Sequence, residues 1–339
     1  FCMHKSNALN NFQETISKNE CNVEATNIFD IDAVNKYLKT NNNKYLKTNN
    51  KYCKISIKFR NKLIFDKFLK SRDGLFITKL YVIDFHRVQG FYLSPNYETS
   101  PFNCEIIGFY RSYFDFYDKN SNLIVKKPND KYSLCDNYLR AFYDIGNNSS
   151  NVIGNENSQW MLDNYKGFLS QAKFGGVSFS IGSSYKNELC PIVFKDSSIN
   201  SLLIYGLIDS WITRNVLRFS QLEGVYFKKH SLKSFKSNIE EFAISNCYNI
   251  LLDASILNEH VLSNVKTLTI LGHLRMIDSN AFKSFRFIRT LYFHCRNLRQ
   301  TLHNSNNEWL KSFHTSNDLD IHFDFLYLEY MFPDEDFCL

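Results

Sequence analysis

The 339 residues, 44% hydrophobic and 22% charged, carry enough apolar surface to offset the conformational entropy of folding, which excludes global disorder. The net charge is +6, from 40 basic and 34 acidic residues, and the basic residues are scattered instead of forming a stripe beside a known motif, which argues against a nucleic-acid partner. No apolar run reaches the length of a membrane span, since the best stretch, 202–212, is short and interrupted by Asp209.

The chain holds 31 Phe and 20 Tyr against 12 Gly and 5 Pro, with Asn and Lys abundant throughout. That drift is what an A+T-rich coding sequence produces, so aromatic content alone does not mark a ligand pocket. Nine cysteines stand at 2, 21, 53, 104, 135, 190, 247, 295 and 338 with no C-x-x-C pair, which excludes zinc ribbons and thioredoxin-type motifs. The odd count leaves one thiol over, for which Cys338 is the expected choice, and Cys247 and Cys295 read as buried small hydrophobes. Closing loops of about twenty to thirty residues favours the pairs Cys2 with Cys21 and Cys104 with Cys135. Phe1 in place of an initiator Met, and the acidic turn just before Leu339, make both ends read as cut.

In chain order, Ile31, Val34 and Leu38 fall at helical spacing with Asp30 as an N-cap. The string Asn35-Lys36-Tyr37-Leu38-Lys39-Thr40-Asn41 then recurs from Asn43, a period of eight that fits no structural repeat and reads as a slippage duplication. From residue 54 the pattern becomes short runs, apolar at alternate positions, which predicts strands with one buried face. Early runs are Ile77-x-x-Leu80-x-Val82, Cys104-x-Ile106-x-x-Phe109, Phe174-x-x-Val177-x-Phe179 and Ile199-x-x-Leu202-x-Ile204. Ile239-x-x-Phe242-x-Ile244, Val265-x-x-Leu268-x-Ile270 and Ile288-x-x-Leu291-x-Phe293 share one template at intervals of 26 and 23 residues, inside the range of a solenoid coil. Cys247, His273 and Arg296 follow at a common offset.

Several residues invite chemical readings. Asp84 and His86 share a strand face while Arg87 points away, with no nucleophile motif beside them, so a surface or turn-stabilising role is expected. His260, His273 and His294 fall on successive coils, but nothing in their spacing requires a metal. Asp334, Glu335 and Asp336 lack the glycine turn of a calcium loop. Gly175-Gly176 reads as a turn before a strand. Asn147 and Asn148 begin overlapping N-x-S sequons in a Gly/Asn/Ser-rich loop, candidate glycosylation sites. No catalytic residue, cofactor or metal ligand is expected.

The segment Ile277-Asp278-Ser279-Asn280-Ala281-Phe282-Lys283-Ser284-Phe285 resembles the I-x-x-x-A-F-x-x-L connector of extracellular leucine-rich repeats, and Cys247 stands where that family places a buried Asn or Cys. A second resemblance joins Ile83-Asp84-Phe85-His86-Arg87-Val88-Gln89-Gly90-Phe91-Tyr92-Leu93-Ser94-Pro95 and Phe332-Pro333-Asp334-Glu335-Asp336-Phe337-Cys338 to invertebrate ectodomains of no assigned activity that precede a membrane segment. The resemblance implies an α/β repeat solenoid, a leucine-rich-repeat-like curved parallel sheet with an irregular outer face. Residues 1–53 would form a polar N-terminal cap or extension. The solenoid would cover 54–325, with its best-matched coils over 190–300, and 326–339 would begin a truncated C-terminal capping region that holds Cys338.

The expected function is non-enzymatic recognition of a protein or other extracellular ligand by a cell-surface or secreted glycoprotein, attached to a membrane only through a segment outside the chain. The binding face would use Glu240, Glu241, Ala243 and Ser245; Lys266, Thr267, Thr269 and Leu271; and Arg289, Thr290, Tyr292 and His294. An intracellular leucine-rich-repeat adaptor, with reduced cysteines and no glycan, is the alternative. A parallel β-helix enzyme would need carboxylates gathered in one cleft, which the sequence does not offer.

Overall fold

A computed structural model describes residues 12–16, 21–28, 34, 36–37, 40, 53–65, 80–92, 104–112, 115–117, 123–124, 134–139, 173–181, 187–209, 214–215, 217–219, 237–313 and 319–323. Their strands, in chain order, are β1 (Phe12–Ile16), β2 (Cys21–Ile28), β3 (Cys53–Phe65), β4 (Leu80–Tyr92), β5 (Cys104–Ser112), β6 (Asp115–Tyr117), β7 (Lys173–Ile181), β8 (Asn187–Leu189), β9 (Ser197–Tyr205), β10 (Ile208–Asp209), β11 (Arg214–Asn215), β12 (Leu217–Phe219), β13 (Ser237–Leu252), β14 (Thr267–Ile277), β15 (Thr290–Cys295) and β16 (Asp320–Phe323). The main sheet runs β1-β2-β3-β4-β5-β7-β9-β13-β14-β15-β16, with β6, β10 and β11 off this path, and β8 pairs β12 separately. Apart from the antiparallel pairs β1–β2 and β10–β11, the pairings are parallel. The fold is thus a mostly parallel, many-stranded sheet with few helices, its strands following one another in chain order.

Alternation explains why these segments pair this way. Along β13 to β16 one inward row is Phe242, Leu268, Leu291 and Ile321, and the next is Ile244, Ile270, Phe293 and Phe323. Further back the second row continues as Ile204, Phe179, Phe109, Phe85, Ile57 and Ala25. From Ala25 to Phe293 this row is buried, and its rings stack from strand to strand, Phe85 on Phe109 at 5.6 Å and Phe293 on Phe323 at 5.8 Å. Fully burying each such side chain stabilises the fold by about 1.5–3 kcal/mol.

The parallel order requires a crossover after each strand, and the crossovers supply the other half of the core. After β13, Ile256, Leu257, Val261 and Leu262 are buried, the last two in a short helix (Glu259–Leu262) capped by the Asn258 carboxamide oxygen, which accepts from His260 N and Val261 N. After β14, Ala281, Phe282 and Phe285 are all buried. After β15, the helix Leu298–Asn304 and the 3-10 helix Glu308–Phe313 bring Trp309 onto Phe282 and Phe293 at ring separations of 5.6 and 5.7 Å.

The structure corrects several expectations. In β4 and β5 the inward row is set by Phe85, Ile107 and Phe109, which are buried, with Ile83 level with Ile107 and Phe85 with Phe109. Val82 is level with Ile106, one step out of that frame, so adjacent apolar residues in the sequence had left the frame ambiguous. Gly175 and Gly176 lie inside β7 instead of in a turn. A Cβ on Gly175 would come within 1.9 Å of Glu105 Oε1, so the bare backbone leaves room for that carboxylate. The parallel sheet already includes β2, ahead of the boundary at 54, with Val23 and Ala25 buried. In the segment expected to be helical, residues 34, 36–37 and 40 are helical and Val34 is buried, while Asp30, Ile31 and Leu38 lie outside the described residues.

Cys135 bonds to Cys190, with Cα atoms 5.0 Å apart and a separation of 55 residues, and not to Cys104. Loop length ranks the entropy removed from the unfolded chain, whereas pairing is decided by which residues the fold juxtaposes. Here helical residues 134–139 meet the start of the 3-10 helix Pro191–Phe194. Cys2 and the side chains of Cys21 and Cys104 lie outside the described residues, as do Asn147, Asn148 and the acidic run 334–336.

A register shift between Ile244 and Cys247, with Asn246 at φ 51°, places Cys247 level with Gly272 and Cys295 instead of with His273 and Arg296. Gly272 has φ 136°, and a Cβ there would come within 2.3 Å of Cys247 O. Gly272→Ala is therefore expected to destabilise the protein by about 2–4 kcal/mol, measured by chemical denaturation. A loss below about 0.5 kcal/mol, the range of a neutral surface change, would show that this close approach is not required.

Candidate functional site

The alternation that buries one row of each strand turns the next row outward. One outward row registers as Ser201, Glu241, Thr267, Thr290 and Asp320, and the next as Glu24, Ser56, Asp84, Gly108, Ser178, Leu203, Ala243, Thr269, Tyr292 and His322. A third holds Lys58, His86 and Tyr110 at one end, with Ser180, Tyr205 and Ser245 farther along and Leu271 paired with His294. At about 4.8 Å per strand, the ten strands of the longest row spread it over roughly 43 Å.

The expected binding residues group as follows. Glu241, Thr267 and Thr290 are directly adjacent, as are Ala243, Thr269 and Tyr292. Ser245 sits opposite Tyr205. Glu240, Lys266 and Arg289 lie at the rim where the strands begin, linked by Lys266 N donating to Glu240 O and Arg289 N to Lys266 O, with Lys266 Nζ 3.1 Å from Glu240 Oε2. Tyr292 stacks on His322 at 4.6 Å and lies nearly parallel to His294 at 6.1 Å. This end of the face therefore offers flat rings beside threonine hydroxyls, a combination that binds through both apolar contact and hydrogen bonds.

The other end of the face is a polar cluster that alternation alone had not exposed. Lys54 Nζ lies 2.7 Å from Asp84 Oδ2, with the Asp84 side chain 5% exposed and that of Lys54 50% exposed. The Asp84 hydrogen bond raises the Lys54 pKa against the opposing effect of burial, with added attraction from Asp84, Tyr110 and Glu24. Ser56 Oγ and His86 Nε2 are 3.1 Å apart, the His86 ring stacks on Tyr110 at 5.1 Å, and Tyr110 OH and Ser178 Oγ are 3.4 Å apart. Gly108 makes this possible, since a Cβ there would meet Asp84 Oδ1 at 2.5 Å and Ser178 Oγ at 3.0 Å. Asp84 is thus a buried ion-pair partner where a surface or turn-stabilising residue was expected, and the Arg87 side chain lies outside the described residues. The available signal was the run Lys54-Ile55-Ser56-Ile57-Lys58, whose polar members all lie on this face.

His260, His273 and His294 have separate surroundings. His260 Nε2 is 3.6 Å from Glu259 Oε1, His273 stacks on Tyr248, and His294 lies by Tyr292. Burial lowers the pKa of His260 and of His273. Among the described residues, no group of three or more His, Cys, Asp or Glu side chains is placed to hold a metal ion, and no helix is long and apolar enough to cross a membrane. No protein-family model, curated protein or solved structure matches the chain.

The Lys54–Asp84 pair has unequal partners. Removing the half-exposed cation strands a buried carboxylate, whereas neutralising the carboxylate leaves an ammonium that water can solvate. Lys54→Met is expected to cost about 1–3 kcal/mol and Asp84→Asn less than about 1 kcal/mol. Equal losses in a double-mutant cycle would show that Asp84 is not desolvated as described.

Proposed function

We propose that this chain is a binding module and not an enzyme: a degenerate, leucine-rich-repeat-like solenoid from the ectodomain of a cell-surface or secreted protein. Its outward sheet face is the surface that meets a protein or other extracellular ligand. The observation that carries this reading is the lateral register of the outward rows, in which threonines, tyrosines and histidines from strands far apart in sequence lie side by side. A surface of this kind suits an extended partner better than a small substrate. The sequential strand order and the intervals of 23 to 26 residues between template copies support the repeat reading. Anchorage would come from a segment outside the chain.

The compartment can be tested by mass analysis of protein secreted from eukaryotic cells. The extracellular reading expects a linked Cys135–Cys190 peptide and a glycan on Asn147 or Asn148. Cys247 and Cys295 should stay unalkylated until the protein is unfolded, because burial pushes the Cys247 thiol up to about 12 and raises that of Cys295. A free Cys135 together with bare asparagines would favour the intracellular adaptor.

The binding face is tested by staining intact cells with a multimerised form of the chain. Thr269→Arg and Tyr292→Asp change half-exposed side chains on adjacent strands and are expected to lower binding at least about tenfold without changing the melting temperature. Staining that persists undiminished with both variants would move the interface off this face.

A further inference from the structure

A groove runs along the rim where the strands begin, apart from the outward face. One cavity, of about 610 Å³, is lined by residues that include Ser197 and Ser237, the first residues of β9 and β13, Asn264 and Lys266, just before β14, and Phe287. A second, of about 470 Å³, adjoins it through shared Ser263 and Phe287 and is lined on its far side by Glu259, Lys283 and Arg286. The Phe287 ring, 57% exposed, stands between the two.

The lining mixes apolar surface with polar groups, some of which are fixed in place. Asn264 Nδ2 donates to Ser237 O at 2.7 Å, and Ser237 Oγ donates to Val261 O at 3.0 Å. Buried Ser197 has a hydroxyl without a hydrogen-bond partner among the described residues, an atom that a ligand hydroxyl or a water on the groove floor would satisfy. Two charges are already answered within the protein, Asp196 by Lys195 at 2.7 Å and Lys266 by Glu240, and the exposed Glu259 carboxylate accepts from the Ser284 hydroxyl at 2.5 Å. Lys283 and Arg286 have no carboxylate within ion-pair distance among the described residues.

We infer that this groove binds a linear anionic saccharide, one sugar on each side of Phe287. Sugar C–H faces fit against the exposed ring, sugar hydroxyls match the amide and hydroxyl lining, and a sulfate or carboxylate substituent meets Lys283 and Arg286. An acyl chain or an amphipathic helix would need a continuous apolar strip, which the serines and asparagines interrupt.

The test is calorimetric titration with a heparin-derived hexasaccharide, using neutral maltohexaose and vesicles of mixed phosphatidylserine and phosphatidylcholine as comparators. Lys283→Ala combined with Arg286→Ala is expected to weaken hexasaccharide binding at least about tenfold, and Phe287→Ala by about three- to tenfold. Arg275→Ala combined with Arg299→Ala removes the same charge away from the groove and should change affinity by less than about twofold. All altered side chains are exposed, so each variant is expected to melt with the parent. Equal losses from the two double variants would reduce the interaction to net charge and overturn the proposal. So would maltohexaose binding as tightly as the charged sugar, vesicles being held through Lys283 and Arg286 while the hexasaccharide is not, or no hexasaccharide binding by the parent chain.

Discussion

The rest of the structure depends on the register of the parallel ladder. Each strand must present its apolar residues at the same level as its neighbours, because a slip of one residue would expose the whole inward row. The row from Ala25 through Phe85, Phe109, Phe179 and Ile244 to Phe293 keeps this level across chain segments as far apart as 25 and 293. Ring contacts couple β4 to β5, β5 to β7 and β15 to β16, and aliphatic residues fill the row between them, so packing and backbone pairing favour the same register. The outward rows inherit their alignment from it.

Parallel pairing also leaves backbone groups at the strand ends to be satisfied, and polar side chains of the crossovers do this. The Asn297 amide both donates to Leu274 O and accepts from Leu274 N, Thr301 Oγ1 donates to Leu274 O, and Ser305 Oγ accepts from Ile277 N. Asn249, at φ 55°, donates through Nδ2 to Asp209 O. Much of the asparagine content that composition attributes to coding drift is therefore structural in this half of the chain, where short amides stand in for regular backbone partners.

How much could be read from the sequence followed the clarity of its alternation. In β9 and β13 to β15, bulky buried residues recur at every second position with mostly small, polar or half-buried residues between them, so the strands, their inward residues and most of the outward face were legible. In β4 and β5, the pairs Val82-Ile83 and Ile106-Ile107 offer an apolar residue to both faces, and only the neighbouring strands decide between them. That misplaced frame concealed the cluster around Asp84, because Lys54, Ser56, Tyr110 and Ser178 meet only when β3, β4, β5 and β7 are in their true register. The strand β2, Cys-Asn-Val-Glu-Ala-Thr-Asn-Ile, carries too little apolar bulk to stand out. The shift at Asn246 adds a residue that no periodic template anticipates, which moved the level of Cys247 by one.

The groove was illegible for a different reason. Its walls come from the residues just before or at the start of strands, from Asp196 to Phe287, positions that the hydrophobic pattern leaves unconstrained. Sequential parallel order separates two kinds of surface: faces whose side chains are dictated by alternation, and rims whose side chains are free to vary with each crossover. On the face, a change of residue is limited by its inward neighbours and by the level of the ladder. On the rim, an exposed Phe287 or Arg286 has no such structural requirement, since neither contributes to the inward rows. An exposed aromatic ring flanked by cations that have no carboxylate partner among the described residues therefore calls for a cause outside the core, and the groove on either side of Phe287 supplies one.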